Sequence, residues 1–383
     1  MECTIYLADA CNLCCTYCYE GKKKNLSYMT LDTFEKILDF IMLNKREEDD
    51  VVYMTFLGGE PLLNRELLFN AIEMIDTEFK NKIKFRYSIT TNATLLDDES
   101  IEFLINNNFN LSISVDGDEE THNLNRRSTN GANLYPLVTN NIKKLLDKSA
   151  IFNIRMTITA NNVHKFFHNI KYFYEMGIDQ IYIGCDFFAE WDENTLKVFD
   201  TQLDLIDDFY IQYIEPCDKK IVNIYDHMFS TFIVDRKSRY CSAGTKEHYT
   251  ITSTGEIYPC GYVANIEKGK WSLGNINNSE NFNNFFERAK NSVIKKSKCT
   301  DCDIRFACNA AKCGFKNYLS TGFLNKPSDV MCKMEKILYK HEYLVISKLY
   351  KMRSKRLINN IKLAEKYGLQ LSKVIIEIMG EEN

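Results

Sequence analysis

The sequence predicts an α/β protein: a partial (β/α)6 TIM-like barrel, then a small cysteine-rich domain and a C-terminal helical tail. Three observations carry this. Short β-branched or aromatic runs alternate with helical patterns over residues 1–190, which implies a parallel sheet. Seven of the 14 cysteines crowd between 241 and 332. Residues 333–379 read as helical again and carry many Lys and Arg.

The strands are expected at 3–8, 51–57, 84–91, 109–116, 152–159 and 180–185. Helices are expected near 31–45, 64–78, 97–107, 134–147 and 163–175. In such a layout ligand sites gather at the C-terminal tips of the strands. Residues 190–230 read as helical and lead out of the barrel. In HYTITSTGEIYPC, Thr254-Gly255 suits the turn of a hairpin. The resulting division is 1–190 barrel, 191–235 helical bridge, 236–335 cysteine-rich domain and 336–383 C-terminal helices.

The chain has 383 residues and a formal net charge of -4, which gives no sign of a nucleic-acid partner. No apolar run reaches the length that spans a bilayer. The start, MECTIYLADAC, lacks the regions of a signal peptide, so a cytoplasmic protein with no membrane partner is expected. In a reducing compartment, 14 cysteines in short-spaced clusters favour metal or iron–sulfur ligation over disulfides.

Cys11, Cys15 and Cys18 form a Cys-x3-Cys-x2-Cys loop directly after strand one. Three thiolates can hold three irons of a cubane and leave the fourth open. Zinc or buried thiols are the bland alternative, but a structural zinc site takes four ligands and only Cys14 lies nearby. Gly58-Gly59-Glu60-Pro61 ends strand two, where glycines admit close backbone approach and Glu60 is an acceptor for an ammonium. Thr90-Thr91-Asn92-Ala93-Thr94 ends strand three and Ser114-Val115-Asp116-Gly117 ends strand four. Arg155 on strand five can pair with a carboxylate.

CNLCCTYCYE resembles the signature loop of radical S-adenosylmethionine (SAM) enzymes, and the three strand-end segments resemble that family's GGEP, T-N-G-T and S-x-D-G motifs. The resemblance implies a [4Fe-4S] cluster on Cys11, Cys15 and Cys18 whose open iron binds SAM. One electron then cleaves SAM to a 5'-deoxyadenosyl radical, which abstracts a substrate hydrogen. It further implies SAM contacts at Tyr17, Gly58, Gly59, Glu60, Pro61, Asn92, Ser114, Asp116 and Arg155, with Cys14 as a non-ligand.

Cys241-x13-Gly255-x4-Cys260, then Cys299-x2-Cys302-x5-Cys308-x4-Cys313 and Cys332, resembles the SPASM extension of the same enzymes. One residue more than usual precedes Cys313. The resemblance implies two auxiliary [4Fe-4S] clusters, three in all: one on Cys241, Cys260 and Cys313, the other on Cys299, Cys302, Cys308 and Cys332. Where some relatives place a further cysteine, this chain has Asp235. The fourth position is therefore left to Asp235, to Cys217 or to an open iron that can take a substrate thiolate. A zinc ribbon is the alternative.

Relatives of this size mostly modify peptides or proteins. The leading reading is a maturase of a ribosomally made precursor peptide that forms a thioether or other cross-link, served by a reductant such as flavodoxin or ferredoxin. The rival is an anaerobic sulfatase-maturing enzyme, which makes formylglycine. That subgroup carries an acidic base directly after the cysteine matching Cys260, where this chain has Gly261. A third reading is a non-catalytic iron–sulfur or zinc protein. Cys185, at the tip of strand six, and Asp235 are the candidate catalytic side chains. The Lys/Arg-rich tail at 351–365 reads as a solvated helix face; the chain starts almost at strand one, so leader binding, if any, is expected from that tail, the barrel rim or a separate leader-binding protein. His164 and His168 sit at i, i+4, but no third metal ligand accompanies them, so a solvated helix face is expected.

Overall fold

The computed structural model describes residues 1–21, 26–79, 82–234, 243–264, 269–277 and 282–380. Along the chain run β1 (Glu2–Ala8), α1 (Leu31–Asn44), β2 (Val51–Gly58), α2 (Arg65–Phe79), β3 (Lys84–Thr91), α3 (Asp98–Asn106), β4 (Asn110–Ser114), α4 (Glu119–Asn125) and α5 (Tyr135–Asp147). Then come β5 (Phe152–Ile158), α6 (Phe166–Glu175), β6 (Gln180–Cys185), α7 (Glu193–Phe209), β7 (Ile221–Val222) and α8 (Asn223–Ile233). The remainder is β8 (His248–Ile251), β9 (Glu256–Tyr258), α9 (Gly261–Ala264), β10 (Gly274–Asn275), α10 (Phe282–Asn291), α11 (Gly314–Thr321), α12 (Asp329–Lys351), α13 (Lys355–Lys366) and α14 (Lys373–Gly380).

The fold class is the α/β one that the strand and helix spacing predicts, with a mixed sheet and a helical C-terminal region. The chain divides by compactness into two discontinuous units: Met1–Val115 with His122–Phe152 and Ser242–Asn291, and Asp116–Thr121 with Asn153–Cys241 and Ser292–Asn383. Strands from the cysteine-rich stretch join the sheet of the first unit.

In the first unit the strand order is β10-β9-β8-β1-β2-β3-β4. β1 to β4 pair in parallel in sequence order. β8 adds to the other edge of β1, also parallel, with Glu2 opposite His248 and Ile5 opposite Ile251. The expected hairpin is present, Thr250 pairing Tyr258 antiparallel, with Gly255 at φ +80° in its turn. Ile5, Leu38, Val52, Met54, Ile72 and Ile113 are buried in the core of this unit.

In the second unit β5, β6 and β7 are parallel neighbours. The two-residue β7 is too short to show a sequence period. α7 and α12 lie side by side, and their ion pairs step along both helices together: Lys333 with Glu193, Lys340 with Asp200, Lys348 with Asp208. Partners that advance together mark the two helices as parallel. The expected basic tail is only partly a solvated face. Arg356 is tucked inward and donates to Asp226 at 2.6 Å and to the Cys217 carbonyl at 2.5 Å. The exposed His168 ring sits 3.1 Å from Asp118. No described helix is long and apolar enough to cross a membrane.

Candidate functional site

The loop that carries Cys11, Cys15 and Cys18 leaves β1 at its C-terminal tip. Two backbone hydrogen bonds fix its exit: Gly59 N–H to the Ala8 carbonyl at 2.9 Å and Glu60 N–H to the Ala10 carbonyl at 2.8 Å. Both depend on glycine. A Cβ at Gly58 would lie 2.1 Å from the Ala8 oxygen, and one at Gly59 2.1 Å from the Ala10 oxygen. Gly58 also holds φ at +142°.

A second segment, 125–130, straps the loop from the other side. Cys14 N–H donates to the Arg127 carbonyl (2.7 Å), Thr16 N–H to that of Asn125 (2.9 Å) and Thr129 N–H to that of Asn12 (3.1 Å). The Cys14 thiol points to the same strap, 3.4 Å from the Arg127 oxygen. The Arg126 guanidinium lies over the Tyr17 ring at 5.4 Å. The strap was not legible in the sequence: Asn125-Arg126-Arg127-Ser128-Thr129-Asn130 has no periodicity and reads as an ordinary polar loop.

Glu60 is fully buried and its carboxylate is occupied within the protein. Oε1 accepts from Leu62 N–H (3.1 Å) and from the Thr91 hydroxyl (2.6 Å), and Oε2 accepts from Asn92 N–H (2.8 Å). This carboxylate braces the GGEP turn against the end of β3, a role the sequence reading did not foresee. Burial pushes its pKa up to about 7 against those hydrogen bonds. Asn92 accepts from the Thr94 hydroxyl (2.6 Å) and donates to Asn12 (2.9 Å), while Asn12 donates to Thr94 (2.7 Å). Ala93 sits in the left-handed region at φ +61°, where the family segment has glycine. Ser114 ends β4, half-buried.

Burial raises the Cys11 thiol to about 11, with Glu60, Cys15 and Cys18 near enough to add to the shift. Among the described residues, the only group of three or more His, Cys, Asp or Glu ligand atoms within 4.8 Å of one another is Asp204, Asp207 and His341. Three thiolates beside a glycine turn are a donor set that fits an iron–sulfur cluster.

Cys260 also belongs to the first unit and directly follows β9 and Pro259. A Cβ at Gly261 beside it would meet the Tyr6 hydroxyl at 2.8 Å, so a side chain there requires the end of the Tyr6 ring to shift. Tyr6 contacts the Tyr19 hydroxyl at 3.5 Å, and Tyr19 packs on Tyr262 with ring centres 5.0 Å apart.

In the second unit Asp116 is buried and accepts from Thr157 N–H at 3.0 Å, while Arg155 is exposed on the same strand, β5. Cys185 ends β6; burial raises its thiol to about 12, which Lys316 opposes. Cys332 lies in the first turn of α12, which the Ser328 hydroxyl caps. Burial raises the Cys332 thiol, with Cys299 adding to the shift, and burial likewise raises the Cys308 thiol, with Cys332 adding. Cys302 opens the turn that leads to Cys308, its carbonyl accepting from Arg305 N–H at 3.1 Å. Cys313 is the N-cap of α11. Asp235 and Cys241 lie outside the described residues.

Residues 5–158 match the radical SAM superfamily, and residues 241–303 match an iron–sulfur cluster-binding domain, SPASM. The chain is 27% identical over 305 residues to a cysteine-type anaerobic sulfatase-maturating enzyme of Clostridium perfringens (strain 13 / Type A), covering 76% of this chain and 80% of the relative. It is 23% identical over 379 residues to the radical SAM cyclopropyl synthase TigE of Paramaledivibacter caminithermalis (87% and 72% covered). The solved structure of native anSMEcpe with bound AdoMet and Cp18Cys peptide superposes with a TM-score of 0.74 at 22% identity, over 94% of this chain and 99% of that one.

Proposed function

We propose, from the premise that this chain is a radical SAM superfamily enzyme with an iron–sulfur SPASM domain, that it is a peptide maturase that joins a cysteine or carbon side chain of a ribosomally made peptide into a thioether or other cross-link. The observation that carries this over formylglycine formation is position 261. The place directly after Cys260, where the other reading needs an acidic base, is glycine, and a Cβ there would meet the Tyr6 hydroxyl at 2.8 Å. The likeness to sulfatase-maturating enzymes favours the second reading, formylglycine formation on a protein, and the two readings share every step up to the radical.

Cys11, Cys15 and Cys18 would hold the cluster that binds SAM. Cys241, Cys260 and Cys313 would hold a second cluster, with Cys299, Cys302, Cys308 and Cys332 holding a third. When bound, SAM and its cluster supply the abstraction of a hydrogen atom from the substrate. The backbone of Gly58 and Gly59 leaves the cradle open for SAM, with Pro61 opening the turn that follows. Glu60 keeps that cradle rigid through Leu62, Thr91 and Asn92. Arg155, Ser114 and Asp116 are the polar groups offered for the SAM carboxylate and ribose, and Tyr17 the ring offered for the adenine. Forming a thioether breaks one C–H and one S–H bond: the carbon's hydrogen atom would go to the deoxyadenosyl radical, the thiol proton to solvent, and the remaining electron to a cluster held by the later cysteines. An external reductant such as flavodoxin or ferredoxin supplies the electron that starts each cycle.

The test is anaerobic reconstitution followed by incubation with SAM, dithionite and candidate peptides encoded beside the gene. Three clusters predict on the order of twelve irons per chain. Reductive SAM cleavage is expected, lost in Cys15→Ala, together with a peptide lighter by two hydrogen atoms and short of one free thiol. Formylglycine in a sulfatase peptide would decide for the second reading. A colourless protein with stoichiometric zinc would refute both.

A further inference from the structure

Tyr6 sits on β1 with no exposed surface, yet it is a polar residue in a strand otherwise packed with Ile5, Leu7 and Ala8. A buried phenol normally secures a good hydrogen-bond partner. Among the described residues its hydroxyl has one, the Tyr19 hydroxyl, at the long distance of 3.5 Å. The same oxygen stands 2.8 Å from where a Cβ of residue 261 would be, while the next atoms, Tyr6 Cζ and Tyr19 Oη, are at 3.8 and 4.0 Å. One oxygen atom therefore decides what can occupy position 261. Gly261 needs no positive φ, so its glycine is explained by space alone.

Tyr19 directly follows Cys18 and retains 36% exposure, while its hydroxyl reaches inward to Tyr6. Tyr262 follows Cys260 by two residues and packs on Tyr19 at an interplanar angle of 54°. Two cysteines more than two hundred residues apart in sequence are thus bridged by a pair of rings whose footing is Tyr6.

We propose that Tyr6 is a positioning residue for the peptide-facing side of this site: it anchors Tyr19, and through it Tyr262, as an aromatic wall between Cys18 and Cys260, and it reserves position 261 for glycine. The inference rests on the reading of the chain as a peptide-acting enzyme. The wall offers ring faces and hydroxyls and no carboxylate, so the segment it suits is uncharged and carries cysteine, whose sulfur packs favourably against aromatic rings. Tyr6 is enclosed and acts through Tyr19; it does not itself touch the peptide.

The experiment compares native protein with Tyr6→Phe, Gly261→Ala and the double variant, all reconstituted anaerobically. Three quantities are read: the melting temperature, the EPR spectrum after dithionite reduction, and the Kd, by anisotropy, of a fluorescently labelled, uncharged, cysteine-containing peptide. Tyr6→Phe keeps native iron content and melting temperature but weakens peptide binding about 3- to 10-fold, the scale of one lost hydrogen bond. Gly261→Ala lowers the melting temperature and alters the EPR line shape, because a rigid buried ring must move. In the double variant the methyl group faces Cζ at 3.8 Å in place of the hydroxyl. Melting temperature and EPR spectrum then return to native, while peptide binding stays at the Tyr6→Phe level. A native-like Gly261→Ala protein, a double variant without rescue, or loss of iron in Tyr6→Phe each overturns the proposal. If native protein ignores the peptide while the clash and its rescue still appear, the peptide reading fails and the coupling of Tyr6 to position 261 stands.

Discussion

Gly59→Ala is the substitution whose effect the geometry defines most sharply. The new Cβ would lie 2.1 Å from the Ala10 oxygen, 2.5 Å from the Ala10 carbon and 2.9 Å from the Asp9 oxygen. All three are backbone atoms of the segment that delivers Cys11, so no side chain can swing aside. Restoring ordinary contact requires a shift of about 1 Å. Overpacking of this kind costs about 1–3 kcal/mol. The shift also strains the Gly59–Ala8 and Glu60–Ala10 hydrogen bonds, each worth roughly 0.5–1.5 kcal/mol. A total of about 2–6 kcal/mol is a large share of the ~5–15 kcal/mol that stabilises a typical protein. The variant, reconstituted anaerobically beside native protein, should melt roughly 2–8 °C lower and lose the iron assigned to Cys11, Cys15 and Cys18. The control is Gly184→Ala, where a Cβ meets nothing within 4 Å. A Gly59→Ala protein with native melting temperature and native iron would refute the reasoning, since it would mean the β1 exit moves freely.

Three further outcomes follow from buried charges. Glu60 has a folded pKa of about 7 against 4.5 in the reference state. Stability is therefore full below pH 4.5 and falls as pH rises towards 7, by about 3 kcal/mol in all. Glu60→Gln should gain on native protein in melting temperature between pH 5.5 and 8, and a pH-independent difference would contradict this. The buried His122 ring is held near pKa 3 by desolvation, with Arg126 adding to the shift. Its contribution is present above pH 6.5 and lost as pH falls towards 3, by about 5 kcal/mol, and His122→Asn should flatten that acid limb in urea titrations. Arg356→Met strands the largely enclosed Asp226 beside Tyr210 and should cost about 3–5 kcal/mol; the pair sits at 2.6 Å with side chains 13% and 11% exposed. Circular dichroism melts of Arg356→Met and of Arg356→Met/Asp226→Leu should show loss and partial recovery.

The six strands of the first half were legible because each is a run of β-branched or aromatic residues closed by a turn motif; 84–91 and 180–185 agree to the residue. The cysteine spacings and GGEP were legible because ligand chemistry fixes residue identity at fixed intervals. α4 was missed: EETHNLN has too few apolar residues to show a helical period, and burial of Thr121, His122 and Asn125 replaces it. The inward turn of Arg356 was hidden for the same reason, since its partner Asp226 is 130 residues away. Tyr6 was invisible because a tyrosine in a strand is ordinary, and only the approach of Gly261 gives it meaning. Glu60 was seen as a residue, but its direction was not: the donors that claim its carboxylate come from β3 and from the turn itself.

The pairing of β1 with β8 has a consequence for how the molecule is made. One edge of β1 is satisfied early by β2, but its other edge waits for His248–Ile251. At roughly 5–20 residues per second, translation leaves that edge bare for about 12–50 s. During this time Cys11, Cys15 and Cys18 already exist while Cys260 does not. A nascent chain in that state exposes an unpaired strand edge beside three reactive thiols, so its safe passage depends on what meets it at the ribosome. Late synthesis of residue 248 thus sets the earliest moment at which the sheet around the first cysteine loop can close.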